Sequence, residues 1–295
     1  MFEFCLHVIA LAGIFSLIAL SLNLQAGTTG LMNFGQIAFV GFGAYAVGLG
    51  HQAGWSLSAS ILAGVFAAMA LALVISRLGR NLAADYWGIA TLAVAEIIRM
   101  VTMNEGDWTG GAQGLSALPS LVSFLPDGQQ NLGFTALAIV LVAITACVSQ
   151  RITYGRFGRA LRLLREQPQL ASCLGYNILS LKTRALLISA VIASIAGSML
   201  ACYTSYVSPN YLLPAQTFLV WCMVMIGGLG NIWGVVCGAI LVQFVYSFVP
   251  FAKDYLDIST DVAGALRLGL IGVILLACLM WRSEGLFPER MKVMP

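Results

Sequence analysis

The chain has 295 residues, 60% of them hydrophobic and only 9% charged, with a formal net charge of +3. A mean hydropathy of +0.91 excludes a water-soluble globular domain, since no soluble core can use that much apolar surface. No basic patch with interleaved aromatics occurs, which excludes nucleic acid as a partner.

Apolar runs lie near residues 5–25, 31–50, 57–76, 86–104, 132–150, 184–205, 214–229, 232–250 and 264–282, each close to the roughly 20 residues that cross a bilayer. A backbone exposed to lipid must pair its own N–H and C=O groups, and no alternating barrel pattern is present. These runs predict an all-α, polytopic transmembrane helical bundle of about eight or nine segments, forming a single transmembrane domain over residues 1–295.

The first run lacks a basic n-region and a small-residue cleavage site and is too long for a signal segment, so it is expected to remain as a span. Gly27, Gly30, Gly35, Gly41 and Gly43 interrupt the second run, as Gly227, Gly228 and Gly230 do the seventh and eighth, and a broken or re-entrant helix is expected at one of these places. Asn33 and Gln36 fall in the interrupted second run, where their amides either line a polar passage or join helices by hydrogen bonds. In the fourth run Glu96 and Arg99 stand three apart on one helix face. A self-neutralising ion pair is the favoured reading there, and a charged lining to a passage is the functional one. Asn33, Gln36, Glu96 and Arg99 are thus the pathway candidates. Beyond them, Trp108, Thr109, Gly110, Gly111 and Gln113 form either a docking loop or a plain connector.

The connection 151–184 holds Arg151, Arg156, Arg159, Arg162, Arg165, Lys182 and Arg184. With Arg77 and Arg80, and with Arg282, Arg290 and Lys292 in the tail, these basic residues predict a cytoplasmic side. The loops 105–131, 206–213 and 251–263 carry only Lys253 and fall outside, so the N-terminus lies outside and the C-terminus inside. Within the connection, Pro168 suits a first helical position, Leu170, Ala171 and Leu174 make one apolar edge, and Gly175 suits the C-terminal cap. So short a helix needs the membrane domain or a soluble partner to pack on, or anionic headgroups to lie on.

Farther along, Ser189, Ala193, Gly197, Ala201 and Ser205 recur every four residues, as do Gly230, Gly234 and Gly238, which predicts two tight packing seams. The glycine-rich stretch 27–48 weakly repeats in 227–238, a pattern of internal duplication found in transporters. The seven cysteines form no C-x-x-C pair and His7 and His51 stand isolated, so no disulfide and no metal site is expected. The chain contains no G-x-x-x-x-G-K-[ST] phosphate loop and no nucleophile with a base beside it, so it is not expected to be an enzyme or to hold a cofactor of its own.

Five segments in order carry a resemblance over roughly residues 20–285. They are Leu22-Asn23-Leu24 with Thr29-Gly30-Leu31-Met32-Asn33-Phe34-Gly35-Gln36-Ile37-Ala38-Phe39; YWGIATLAVAEIIR from Tyr86 to Arg99; and Thr109-Gly110-Gly111-Ala112-Gln113-Gly114-Leu115. Gly158-Arg159-Ala160-Leu161-Arg162, leading to Arg165-Glu166 and Leu174-Gly175, is the fourth, and Gly227-Gly228-Leu229-Gly230-Asn231-Ile232-Trp233-Gly234 the fifth. The chain resembles the M-type permease subunit of bacterial branched-chain amino-acid ABC importers. The resemblance implies a permease for leucine, isoleucine and valine in the bacterial inner membrane. It also implies partners: a sister permease chain, two cytoplasmic ATPase subunits that hold ATP and Mg, and a periplasmic substrate-binding protein. Arg165, Glu166, Gln167, Leu170, Ala171, Leu174 and Gly175 would form the coupling region seated in an ATPase groove. The family usually has acidic residues after the Arg-Glu pair, whereas this chain has Gln167, Pro168 and Gln169, so the polar contact to the ATPase is expected to differ. The same type of permease acting on urea or short amides, and an ion-coupled secondary amino-acid carrier, are the alternatives.

Overall fold

The computed structural model describes residues 2–80, 82, 84–122, 126 and 129–256, with scattered positions between 262 and 287. Its helices are α1 (Phe2–Thr29), α2 (Gln36–Gln52), α3 (Leu57–Leu78), α4 (Ala84–Asn104), α5 (Gly106–Thr109), α6 (Gln130–Tyr154), α7 (Arg156–Glu166), α8 (Pro168–Cys173), α9 (Ile178–Thr204), α10 (Pro214–Gly227) and α11 (Ile232–Leu256). Among the described residues the strands are one two-residue antiparallel pair, β1 (Leu115–Ser116) on β2 (Tyr206–Val207), with Leu115 opposite Val207. The chain is thus a helical membrane protein, as its hydropathy predicts.

Among the described residues, five helices are long and apolar enough to cross a membrane: Glu3–Thr29, Leu57–Leu78, Tyr86–Asn104, Gln130–Tyr154 and Ile178–Thr204. The second run resolves into a shorter helix, because residues 30–35 are not helical and α2 begins only at Gln36. The seventh and eighth runs become the shorter apolar helices Pro214–Gly227 and Ile232–Phe248. The ninth run, 264–282, lies partly outside the described residues, and Arg282, Arg290 and Lys292 lie outside them altogether.

Helices α1, α2 and α9 form the centre. The apolar windows of α1 and α9 are 72% buried, against 28% for α3, α4 and α6. Helix α2 lies in the angle between α9 and α3, α6 leans on α1, and the α10–α11 hairpin closes the far side of α1. The outer helices turn large apolar side chains outward: Leu62, Phe66, Leu73 and Val74 on α3, and Ile139, Val140, Ile144 and Val148 on α6. Such faces suit lipid, which offers no hydrophobic penalty for their exposure.

Small residues let the central helices touch through their backbones. A Cβ on Gly43 would collide with the carbonyl of Ser194, and one on Gly197 with the carbonyl of Val40, so α2 and α9 cross with no side chain between them. Ser189, Ala193, Gly197 and Ala201 are all buried on α9. Ser205, the last member of that ladder, is exposed and caps the helix in the left-handed region (φ 51°). The glycine ladder also breaks at one end. Gly234 and Gly238 pack on Gly227 across the hairpin, but Gly230 lies outside α11 in the turn 228–231, at φ +86°, where a side chain would be strained.

Candidate functional site

The non-helical residues 30–35 sit inside the bundle, where protein must replace water as the hydrogen-bond partner of the free backbone. An amide cluster stands at the centre of this stretch. Gln25 of α1, Asn33 of the unwound stretch, Gln36 of α2 and Ser189 of α9 are all completely buried. Asn33 Nδ2 donates to Gln25 Oε1 (3.0 Å) and to Gln36 Oε1 (3.1 Å), and Gln25 Nε2 donates to Gln36 Oε1 (2.9 Å) and to Ser189 Oγ. Gln36 Nε2 donates to Ser21 Oγ (2.7 Å) and Ser189 Oγ (3.4 Å), and Ser189 Oγ donates to the Ser21 carbonyl (2.8 Å). Both protons of every amide are therefore used, which is the condition under which a buried polar network stabilises rather than weakens a core.

The same stretch collects the other helices. Asn33 Oδ1 accepts from Gly35 N (2.8 Å), the Asn33 carbonyl accepts from Trp221 Nε1 of α10 (3.0 Å), and Phe34 N donates to Thr91 Oγ1 of α4 (3.1 Å). Just before it, Asn23 Oδ1 accepts from Gly230 N in the α10–α11 turn (2.8 Å). Of the pathway candidates, Asn33 and Gln36 thus meet each other inside one chain, sealed from solvent and bonded across three helices. Replacing Gln36 with leucine removes the acceptor of two amide donors and strands Asn33 and Gln25. A loss of about 2 kcal/mol is expected, read as a lower melting temperature in detergent with helical content retained. An unchanged melting temperature would show that the cluster adds no stability.

The basic arm is built next to this junction. In α7, Leu161 and Leu164 bury against Leu181 and Ala185 of α9, while Arg162 lies over the Tyr154 ring (5.3 Å). Arg165 turns back and donates from Nη1 to the carbonyl of Gly27, in the last turn of α1. That carbonyl is among those a helix end leaves without an intrahelical partner, and a cation there also meets the negative end of the helix dipole. Pro168 opens α8, and Gly175 (φ +82°) closes it in a Schellman motif, with Tyr176 N bonded to the Ala171 carbonyl (3.1 Å) and Gly175 N to the Ser172 carbonyl (3.0 Å).

The edge of α8 expected to be continuous divides in two. Ala171 is wholly buried, whereas Leu170 and Leu174 are 44% and 62% exposed, together with Tyr176. Glu166 and Gln167 are exposed at the α7–α8 junction. The difference arises because the arm folds back on its own bundle: Arg165 and Ala171 serve that contact, while Leu170, Leu174 and Tyr176 stay exposed beside Glu166 and Gln167.

Glu96 and Arg99 lie elsewhere, on α4. Arg99 Nε donates to both Glu96 carboxylate oxygens (3.0 and 2.9 Å) and Nη2 closes the ion pair at 2.5 Å, with the Arg99 and Glu96 side chains 16% and 32% exposed. The ion pair does not join the amide cluster. Beside α4, a cleft of about 590 Å³ opens between α2, α3 and α4, with Tyr45, Trp55, Thr102 and Trp108 in its lining. Trp108 and Thr109 stand at this cleft, and Thr109 Oγ1 donates to the Thr102 carbonyl (2.7 Å). Gly110 and Gly111 turn the loop through positive φ, and the Gln113 carbonyl accepts from Tyr206 Oη (2.6 Å).

Residues 4–279 match the profile of the family described as branched-chain amino acid transport system / permease component. This chain belongs to that permease family. The high-affinity branched-chain amino acid transport system permease protein LivM of Escherichia coli K12 is 28% identical to it, covering 95% of this chain and 69% of the relative. A probable branched-chain amino acid transport permease protein LivM of Methanocaldococcus jannaschii is 25% identical, covering 96% and 93%. The LivH permease protein of the same E. coli system is 24% identical, covering 85% and 87%. No solved structure matches the chain.

In this permease the sequence reading missed Ser21, Gln25, Thr91, Ser189 and Trp221 as partners of the unwound stretch. One signal was available: Ser21 and Gln25 stand four apart in an otherwise apolar helix, and polar side chains inside a span seek a polar neighbour. In sequence Ser189 is only a small residue of a packing ladder, since nothing around it shows that two glutamines face it.

Proposed function

We propose that this chain is the membrane-spanning permease subunit of an ATP-driven importer of leucine, isoleucine and valine, seated in the bacterial inner membrane with its N-terminus outside. It works beside a sister permease; two cytoplasmic subunits bind ATP and Mg and hydrolyse the nucleotide, and a periplasmic binding protein delivers the amino acid. The observation that carries the reading is the α7–α8 arm. It presents Leu170, Leu174 and Tyr176 outward at the arginine-rich end of the bundle, while Arg165 grips the end of α1. The Lys and Arg asymmetry of the connections supports the orientation.

In this reading α8 is the coupling helix. Closure of the ATPase subunits displaces it, α7 passes the displacement to the junction at residues 23–36, and the bundle alternates between outward and inward access. The amide cluster keeps α1, α2 and α9 moving together, and the path for the amino acid runs along the Glu96 and Arg99 side of α4 rather than through the sealed cluster.

Replacing Leu174 with glutamate puts a charge into the proposed apolar contact. Loss of ATPase subunits from the purified assembly is expected, by about tenfold or more, with membrane insertion unchanged; undiminished co-purification would remove α8 from the docking surface. The reading as a whole is tested by uptake of labelled leucine into proteoliposomes holding the complete assembly. Dependence on ATP and on every partner supports it, and competition by isoleucine, valine or urea separates the cargo classes. Uptake by this chain alone on an ion gradient would replace it with a secondary carrier.

A further inference from the structure

Helix α4 carries a combination found in no other described span. Glu96 lies ten residues after Tyr86 and eight before Asn104, the ends of the candidate span, so the carboxylate end of the ion pair stands about 12–15 Å from the two ends at 1.5 Å per residue, and Arg99 about 7.5 Å from the Asn104 end. At that depth it is still partly open on the surface of the chain, at 16% and 32% for Arg99 and Glu96. Next to it runs an exposed stripe at helical spacing: Tyr86, Ile89, Ala93, Ile97 and Met100.

Each solvent fails one half of this surface. Lipid accepts the apolar stripe but makes a half-open ion pair at mid-span expensive. Water accepts the ion pair but is repelled by a contiguous stripe of isoleucine, tyrosine and methionine. A protein surface that buries the stripe and offers a polar group to the ion pair satisfies both. By contrast, the outward faces of α3 and α6 are apolar at mid-span and need nothing but lipid. The cleft between α4 and the α2–α3 pair shows, in addition, that α4 stands off from its own bundle on the Ile97 and Val101 side.

We infer that the Tyr86–Met100 face of α4 is the surface on which the sister permease docks, with Glu96 and Arg99 at the edge of that interface. The inference rests on the importer reading for the existence of the sister chain. Within that assembly the ATPase subunits are cytoplasmic and the binding protein is outside, so the sister chain alone reaches the depth of Glu96. The alanine at position 93, small and at the centre of the stripe, is where its helix comes closest.

The test places the photo-reactive residue p-benzoylphenylalanine at Ala93 or at Met100, and at Ile139 of α6 as the lipid-facing comparison, in the complete assembly in membranes. Irradiation is expected to join positions 93 and 100 to the sister permease at least tenfold more than position 139. An adduct with lipid only, with a second copy of this chain, or an equal yield from position 139 would overturn the assignment. Leucine uptake by the same preparations separates the two ideas. Transport retained with only lipid adducts rejects the α4 surface and leaves the importer reading standing, whereas absence of any second permease from a purified, intact assembly rejects both.

Discussion

Gly197→Leu is expected to abolish accumulation of the folded protein in the membrane. The position of a Cβ at residue 197 is already taken by the backbone of Val40, as the position at Gly43 is by Ser194, so no rotamer of the new side chain relieves the collision. Helices α2 and α9 would have to separate along their length, and Ser189, eight residues from Gly197 on α9, would be drawn away from Gln25 and Gln36. Overpacking of a close-packed interior costs about 1–3 kcal/mol. Here the loss of dispersion contact along the seam and of buried hydrogen bonds adds to it, and at least about 3 kcal/mol is expected. Size-exclusion profile and melting temperature of the detergent-solubilised protein report the effect. Gly106→Ala is the comparison, because a Cβ there meets nothing within 4 Å, and it is expected to change stability by less than about 0.5 kcal/mol. A Gly197→Leu protein that melts with the wild type would mean that the two helices are not in backbone contact.

Arg165→Ala is expected to reduce ATP-driven uptake at least tenfold while the ATPase subunits still co-purify. This separates it from Leu174→Glu, which is expected to act on attachment. The guanidinium spans from α7 to the Gly27 carbonyl, and its aliphatic stem lies against Gly30, where a Cβ would come within 3.3 Å of the Arg165 Cγ. Without that bond the arm can still fold, since Leu161 and Leu164 remain packed on α9, but its movement no longer reaches the end of α1. Lysine at this position keeps the charge near the helix end and loses the planar fork, so an intermediate rate is expected. ATP hydrolysis that continues while uptake falls would locate the defect in transmission. Wild-type uptake by Arg165→Ala would show that the Gly27 contact carries no part of the coupling.

Local physics makes much of this protein legible from its residues in order. Hydropathy alone determines a helical membrane protein, because a backbone in lipid has few ways to pair its polar groups. The short helix in the basic connection follows from Pro168 and Gly175, one fixed in φ for a helix start and the other free to take the left-handed cap. The Glu96–Arg99 ion pair follows from a spacing of three on one helix. In each case both partners lie within a turn or two of each other, or the relevant partner is lipid.

What tertiary structure alone decided are the contacts whose partners lie far apart in the chain. Asn33 and Gln36 read equally as a passage lining or as a bond between helices until Gln25 and Gln36 are seen to accept from Asn33, and Ser189, more than 150 residues away, to accept from Gln36. Arg165 reads as a surface residue of a docking arm until Gly27 is found beneath it. Gly230 reads as one step of a helical ladder until Asn23 holds its N–H in a turn. The physical reason is the same for all three: an amide, a guanidinium or a glycine has a fixed chemical capacity, but which group satisfies it depends on how helices cross, and that angle is set by the packing of α1, α2 and α9 against one another.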